Sequence, residues 1–396
     1  MGAQHIFEQQ FECYQNDNTA TNFLMSCMSR AFGLLMDSIC LLYISAVVVY
    51  IMFLSDSSMT GGNAGLLLTA SLAMIGTTQR CVKCSADVET LMTAVERVLD
   101  YTRIDPEAEL ESTPDRKPSV NWPQKGRIEF IEMSLQYPES PAPVLRDINF
   151  LVNSGEKIGI IGRTGAGKSS IIAGLFRLTE PNGGQILIDG IDIQSIGLHD
   201  LRRQISIIPQ EPVLFTGSVR KNLDLFDGQS DEKLWSALDE VQLCEAISQL
   251  PGMLDAMISK GGSNFSVGQR QLVCLARAIL RNNRILVLDE ATANVDHQTD
   301  ALIQRTIRKK FCNCTVITIA HRLNTIIDSD KVLVLDAGKV IEYGIPYILL
   351  KSGNGLFRQL VSQTGNRMAS RLHKMAKHYY SDKFNVQFNE LDSESD

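Results

Sequence analysis

Gly162-Arg163-Thr164-Gly165-Ala166-Gly167-Lys168-Ser169 is the stretch whose reading decides the fold. Its spacing is G-x-x-x-x-G-K-[ST]: glycines let backbone N–H groups wrap phosphates, the lysine reaches the terminal phosphates, and the hydroxyl holds Mg²⁺. The flanks suit that geometry. Glu156 to Ile161 reads as a short buried strand, and Ser170 to Phe176 as a helix whose positive N-terminus faces the anion. A glycine-rich turn that merely joins strand to helix is the plainer alternative, and the context disfavours it.

Further along, Ile285-Leu286-Val287-Leu288-Asp289 is an unbroken apolar run ending in a carboxylate. A fully buried parallel strand delivers an acid to the carboxyl edge of a sheet in this way. Taken alone, Asp-Glu after a strand is a solvated strand end. Downstream of a phosphate loop, Asp289 can hold the metal's shell, and Glu290 is placed to polarise a water in line with the γ-phosphate.

Phe265-Ser266-Val267-Gly268-Gln269-Arg270-Gln271, shortly before that strand, resembles the signature motif of the ATP-binding-cassette ATPases, which usually opens Leu-Ser-Gly-Gly-Gln. Phe265 and Val267 make it similar to the second cassette of the C subfamily, the multidrug resistance-associated proteins, and the resemblance, which runs from Gly2 to about Thr364, is nearest to the type-4-like exporters. Ser266 and Gly268 would offer a hydroxyl and an N–H at the start of a helix from Gln269 to Leu280, a second anion-binding helix end. The resemblance implies that Ser266, Gly268 and Gln269 close over ATP held by a facing cassette, so that two cassettes sandwich two nucleotides.

It also implies roles for four further residues. Tyr137 would stack on adenine through its ring face, a core tyrosine being the alternative. Gln210 would touch Mg²⁺ and the attacking water, and Asp296 would communicate across the cassette dimer. His321 would contact the γ-phosphate, against the ordinary reading of a structural histidine. The catalytic set is then Glu290, His321, Gln210 and Lys168, with Ser169, Gln210 and Asp289 on the metal and Ser170 completing the nucleotide contacts. The fold class implied is α/β, a P-loop ATP-binding-cassette domain over 127–364, preceded by an α-helical transmembrane hairpin from an exporter-type membrane domain.

Residues Ala31 to Leu54 form an apolar run with one charge, Asp37, and reach the roughly 20 residues a bilayer-spanning helix needs. The run Gly65 to Gln79 is shorter and carries Thr69, Ser71, Thr77 and Thr78, so hydropathy alone leaves it open to a buried soluble helix. Charge decides: Arg30 precedes the first run, Arg80 and Lys83 follow the second, and Ser55 to Asn63 has no basic residue. That asymmetry predicts a hairpin with both ends in the cytosol. The expected order is a cytosolic helical loop over 1–30 with, by resemblance, a short coupling helix; a membrane helix over 31–54; and a second over 64–84. Val88, Leu91, Met92, Val95, Val98 and Leu99 recur at helical spacing and extend the second helix into the cytosol to residue 105. A Pro- and Ser-rich linker over 106–126 and a disordered tail over 365–396 complete the division.

Across 396 residues the net charge is −7, which gives no basic excess for nucleic acid, and nine cysteines show no secreted disulfide framework. Cys81-Val82-Lys83-Cys84 has redox-like spacing without the strand context a redox site needs, and the N-terminus is neither a signal peptide nor a myristoylation site. Thr69, Thr77, Thr78, Gln79, Arg80 and Lys83 could line a translocation path, or the two cations could snorkel at the cytosolic boundary. The resemblance implies ATP-dependent export of amphipathic organic anions from an integral position in the plasma membrane, with ATP, Mg²⁺, the lipid bilayer and the organic-anion substrate as ligands. Full members of the family have two six-helix membrane domains and two cassettes, so a missing N-terminal half or a second cassette is an expected partner. A truncated, non-transporting fragment that binds ATP or modulates a full-length partner is the alternative. A soluble cassette ATPase of the DNA-repair or translation type would lack Ala31 to Leu54.

Overall fold

A computed structural model describes residues 4–54, 60–138, 140–226, 228–291, 295–320, 322–353 and 355–384. It divides into two units, Met1–Pro106 and Glu107–Asp396.

The first unit is a pair of long helices. α1 (Gln4–Val49) runs on through a π-helical turn, Tyr50–Leu54, and α2 spans Gly61–Thr102. Of residues 1–30, expected as a cytosolic helical loop, those from Gln4 onward are helical and continuous with the apolar run. Nothing between Gln4 and Arg30 stops a helix, since the stretch has neither Pro nor Gly. Among the described residues one helix, Gln4–Phe53, is long and apolar enough to cross a membrane; α2 has the length without that apolarity. Its hydroxyls turn inward: Thr69 donates to the Gly65 carbonyl at 2.7 Å and Thr78 to that of Met74 at 2.9 Å. The Gln79 amide donates to the Asp37 carboxylate and ties the two helices together.

Among the described residues the second unit has twelve strands, in chain order β1 (Ile128–Leu135), β2 (Leu145–Val152), β3 (Lys157–Gly162), β4 (Gly183–Ile188), β5 (Ile191–Asp192), β6 (Ile205–Ile208), β7 (Gly217–Ser218), β8 (Met257–Ile258), β9 (Ile285–Asp289), β10 (Thr315–Ile319), β11 (Lys331–Asp336) and β12 (Lys339–Gly344). Its helices are α3 (Lys168–Leu175), α4 (Leu198–Arg203), α5 (Val219–Leu223), α6 (Asp231–Glu240), α7 (Cys244–Ser248), α8 (Val267–Arg281), α9 (His297–Lys310), α10 (Pro346–Lys351), α11 (Leu356–Ser362) and α12 (Asn366–Phe384). An antiparallel sheet of order β2-β1-β4-β5 faces a six-stranded sheet of order β12-β11-β3-β10-β9-β6, parallel except at the β12 edge. The inner strands are buried along their length, which is why Ile285–Leu288 and Val332–Leu335 are continuous apolar runs rather than alternating ones. Phe130, Met133 and Leu135 of one sheet meet Ile171 and Leu175 of α3 and Ile160 and Ile319 of the other in a single core. A second core gathers around α8, with Leu272, Val273 and Leu275 against Leu234, Leu238 and Leu286.

The linker 106–126 lies on the cassette: the N–H groups of Leu198 and His199 donate to the carbonyls of Glu109 and Leu110, and Ser112 binds Asp200. Trp122 is buried and donates from its indole to the Ile188 carbonyl at 3.1 Å. The tail, expected to be disordered from 365, is helical over Asn366–Phe384, with Leu372 and Ala376 buried. The reason is spacing: Leu372, Met375, Ala376, Tyr379 and Tyr380 make one apolar stripe, hidden in a composition dominated by charge. Tyr380 packs on Tyr347 with centroids 5.1 Å apart, and the Tyr379 hydroxyl donates to Asp330 at 2.6 Å.

Candidate active site

Four parallel neighbours, β3, β10, β9 and β6, end on the same side of the sheet, and register aligns Ile160 with Ile319 and Ile319 with Asp289. Gly162–Ser169 therefore emerges beside Asp289 and Glu290, with Gln210, exposed, two residues beyond β6. This carboxyl edge is where open α/β sheets bind ligands. His321, expected to contact the γ-phosphate, lies outside the described residues.

The loop after β3 depends on its glycines. Gly165 and Gly167 have φ of 82° and 98°, and a Cβ on Gly167 would sit 2.6 Å from Leu145 Cδ2. α3 begins at Lys168 with Gly167 at its N-cap and no side-chain cap, so its leading N–H groups face the loop. Arg163, Thr164 and Ser169 are exposed, whereas Ala166 and Lys168 are buried. The Lys168 ammonium donates to the carbonyls of Gly162 and Arg163 at 3.0 and 3.2 Å. Burial pushes its pKa down, opposed by the charges of Glu290 and then Asp289, so the two carboxylates of β9's end act on the loop lysine. Glu290 has a positive φ of 47°, and its N–H donates to the Ile319 carbonyl at 3.0 Å. A non-glycine residue in that region is strained and held there by its surroundings.

Tyr137 packs half-buried against the core, and its hydroxyl donates to Ser170 on α3 at 3.1 Å. The ring is thus both a core side chain and a neighbour of the phosphate-loop helix.

Ser266 caps α8 reciprocally. Its hydroxyl accepts from the Gln269 N–H at 3.1 Å while the Gln269 side chain accepts from the Ser266 N–H at 2.9 Å. Gly268 is buried against Thr299 and Asp296, and a Cβ there would lie 3.3 Å from the threonine methyl. Asp296 caps α9 by accepting from the Thr299 N–H at 3.0 Å, which holds its carboxyl below the usual range. Ser266, Gly268, Gln269 and Asp296 are one group. No hydrogen bond or ion pair among the described residues joins it to the phosphate loop.

Sequence reasoning missed Gln271, which is fully buried and donates to the Pro209 carbonyl at 3.0 Å, tying α8 to the turn that carries Gln210. It missed Thr299 as well. The available signal was an amide on the apolar face of α8, one turn from Leu275.

The ABC transporter family matches residues 145–293. With the geometry above, the second unit is an ATP-binding-cassette domain, a class that binds ATP. Over 380 residues the chain is 53 % identical to a probable multidrug resistance-associated protein, lethal(2)03659, of Drosophila melanogaster, covering 95 % of this chain and 27 % of that protein. It is 50 % identical over 378 residues to ATP-binding cassette sub-family C member 4 of Homo sapiens, covering 96 % of this chain and 28 % of that protein. Over most of its length the chain is thus similar to C-subfamily ATP-binding-cassette proteins of the multidrug resistance-associated type, and it spans just over a quarter of the length of these relatives. Among solved structures it is similar to a bacterial Atm1-family ABC exporter with ATP bound, with a TM-score of 0.74 and 26 % identity over 92 % of this chain and 64 % of that one.

Proposed function

We propose that this chain supplies the second, ATP-hydrolysing cassette of a C-subfamily exporter together with the last two helices of its membrane domain. The exporter would move amphipathic organic anions across the plasma membrane, with the cassette in the cytosol. The strongest support is one arrangement: the phosphate loop and the Asp289-Glu290 pair leave parallel strands separated by β10 alone, and both carboxylates act on the charge of the buried Lys168.

In this reading the N–H groups of Gly162–Gly167 and of α3 wrap the phosphates, Lys168 turns from the loop carbonyls toward them, and Tyr137 offers its ring face to adenine. The donor set of Ser169, Gln210 and Asp289, two neutral oxygens and one carboxylate, suits Mg²⁺, which would neutralise charge on the phosphate oxygens. Glu290 takes the proton of the attacking water, and His321 contacts the γ-phosphate. Ser266, Gly268 and Gln269 serve ATP on a facing cassette, and Asp296 links the two.

A solute path through lipid must satisfy every backbone and polar group internally, which two helices cannot do around a solute. The test is uptake of a labelled organic anion into membrane vesicles. ATP-dependent uptake is expected when the chain is co-expressed with the remaining membrane helices and a facing cassette. Robust uptake with this chain as the sole exporter component would overturn the division of labour, and no uptake from the complemented exporter would overturn the substrate class.

A further inference from the structure

The chain as a whole is acidic, with a net charge of −7, yet one face of the cassette unit is cationic. Between α9, the segment Arg322–Thr325 and α12 lies a cavity of about 1130 Å³. Of its charged lining residues among those described, only Asp300 is acidic. Arg308 pairs with Asp328 at 2.7 Å, and Arg322 lies 3.5 Å from Asp300. Arg305, Lys309 and Arg371 make no ion pair among the described residues. The floor is apolar, from Leu372 and Met375. Asp300 is 6 % exposed, and its Oδ1 has no hydrogen-bond partner among the described residues.

An occupant of this groove must therefore bring negative charge, an apolar side chain and a hydrogen-bond donor for a buried carboxylate oxygen. A free phosphate lacks the apolar part, and an acidic peptide has all three. We propose that the groove receives the segment Phe388-Asn389-Glu390-Leu391-Asp392-Ser393-Glu394-Ser395-Asp396 of this same chain. Glu390, Asp392, Glu394 and Asp396 complement the cations, Phe388 and Leu391 meet Met368 and Met375, and a backbone N–H reaches Asp300. The reach is sufficient. Arg371 lies about 20 Å along α12 from Phe384 at 1.5 Å per residue, and Asn385 to Asp392 extends up to about 26 Å. The chain can thus turn back along its own last helix and lie against α9, whose cap is Asp296.

The experiment places a photo-reactive phenylalanine analogue at Leu391 in the full chain and maps its crosslinks by mass spectrometry. Crosslinks are expected to residues 305–309, 322–325 and 368–375 of the same copy, with a yield that falls as salt is raised. Arg305→Glu with Arg371→Glu should lower the yield by at least about fivefold, and Glu390→Lys with Asp392→Lys and Glu394→Lys in that background should restore it. The tail triple variant alone must give the same loss with the groove untouched, so misfolding of the groove variant leaves the test intact. Crosslinks elsewhere on the chain, to an isotope-labelled second copy or to another protein, or a yield indifferent to charge reversal, would overturn the proposal.

Discussion

Two helix ends in the cassette unit are assigned to phosphate, and they are built differently. α3 starts on Gly167 with no side chain across its N–H groups, whereas α8 starts on Ser266 and closes its own end with Gln269. An uncapped helix end leaves donors to be satisfied by something else. α3 tolerates this because β3 and the loop glycines hold it in place, and the donors are then ready for an anion. α8 satisfies the Ser266 and Gln269 N–H groups itself, so a phosphate carried there would meet the remaining N–H groups and the hydroxyl hydrogen of Ser266. In the proposed function the first end is a resident site and the second acts when a phosphate is carried to it.

The largest effect expected from that contrast is at Lys168. Lys168→Ala removes a charged hydrogen bond to phosphate and should weaken ATP binding roughly 10- to 150-fold, read by equilibrium binding. Unchanged affinity would break the assignment of α3 as the resident site. At the edge of the same site, Tyr137→Ala should weaken ATP binding by about 1–3 kcal/mol, the scale of base-to-aromatic stacking, and Tyr137→Trp should largely preserve it. Equal affinity in the alanine variant would return Tyr137 to the core alone. The smallest effect belongs to α8. Ser266→Ala removes its cap and should cost about 1 kcal/mol of stability in a denaturant melt while leaving the ATP affinity of this chain unchanged. A fall in that affinity would merge the two ends into one site.

What was legible in the sequence follows the same divide between local and non-local physics. The phosphate loop, the Ile285–Asp289 run and the Ser266 helix start are short patterns whose chemistry is carried by neighbours in the chain. The contacts of Glu109 and Leu110 on Leu198 and His199, and of Gln271 on Pro209, join residues far apart in sequence, and no spacing rule reveals them. The tail was misjudged for a related reason: its average composition is polar, and only the face formed by Leu372, Ala376 and Tyr380 docks on Tyr347 and its neighbours. In the first unit, the absence of Pro and Gly between Gln4 and Arg30 was visible, and it lets the helix run unbroken into the apolar segment.

In the proposed function the carboxyl edge of the six-stranded sheet hydrolyses ATP with Glu290 as the base. The direct measurement is ATP binding and turnover, side by side, for Glu290→Gln in this chain assembled with a facing cassette. The amide keeps the shape and loses the basic lone pair, so binding should persist while turnover falls by about 10²- to 10⁴-fold. Turnover at the parental rate would contradict the assignment.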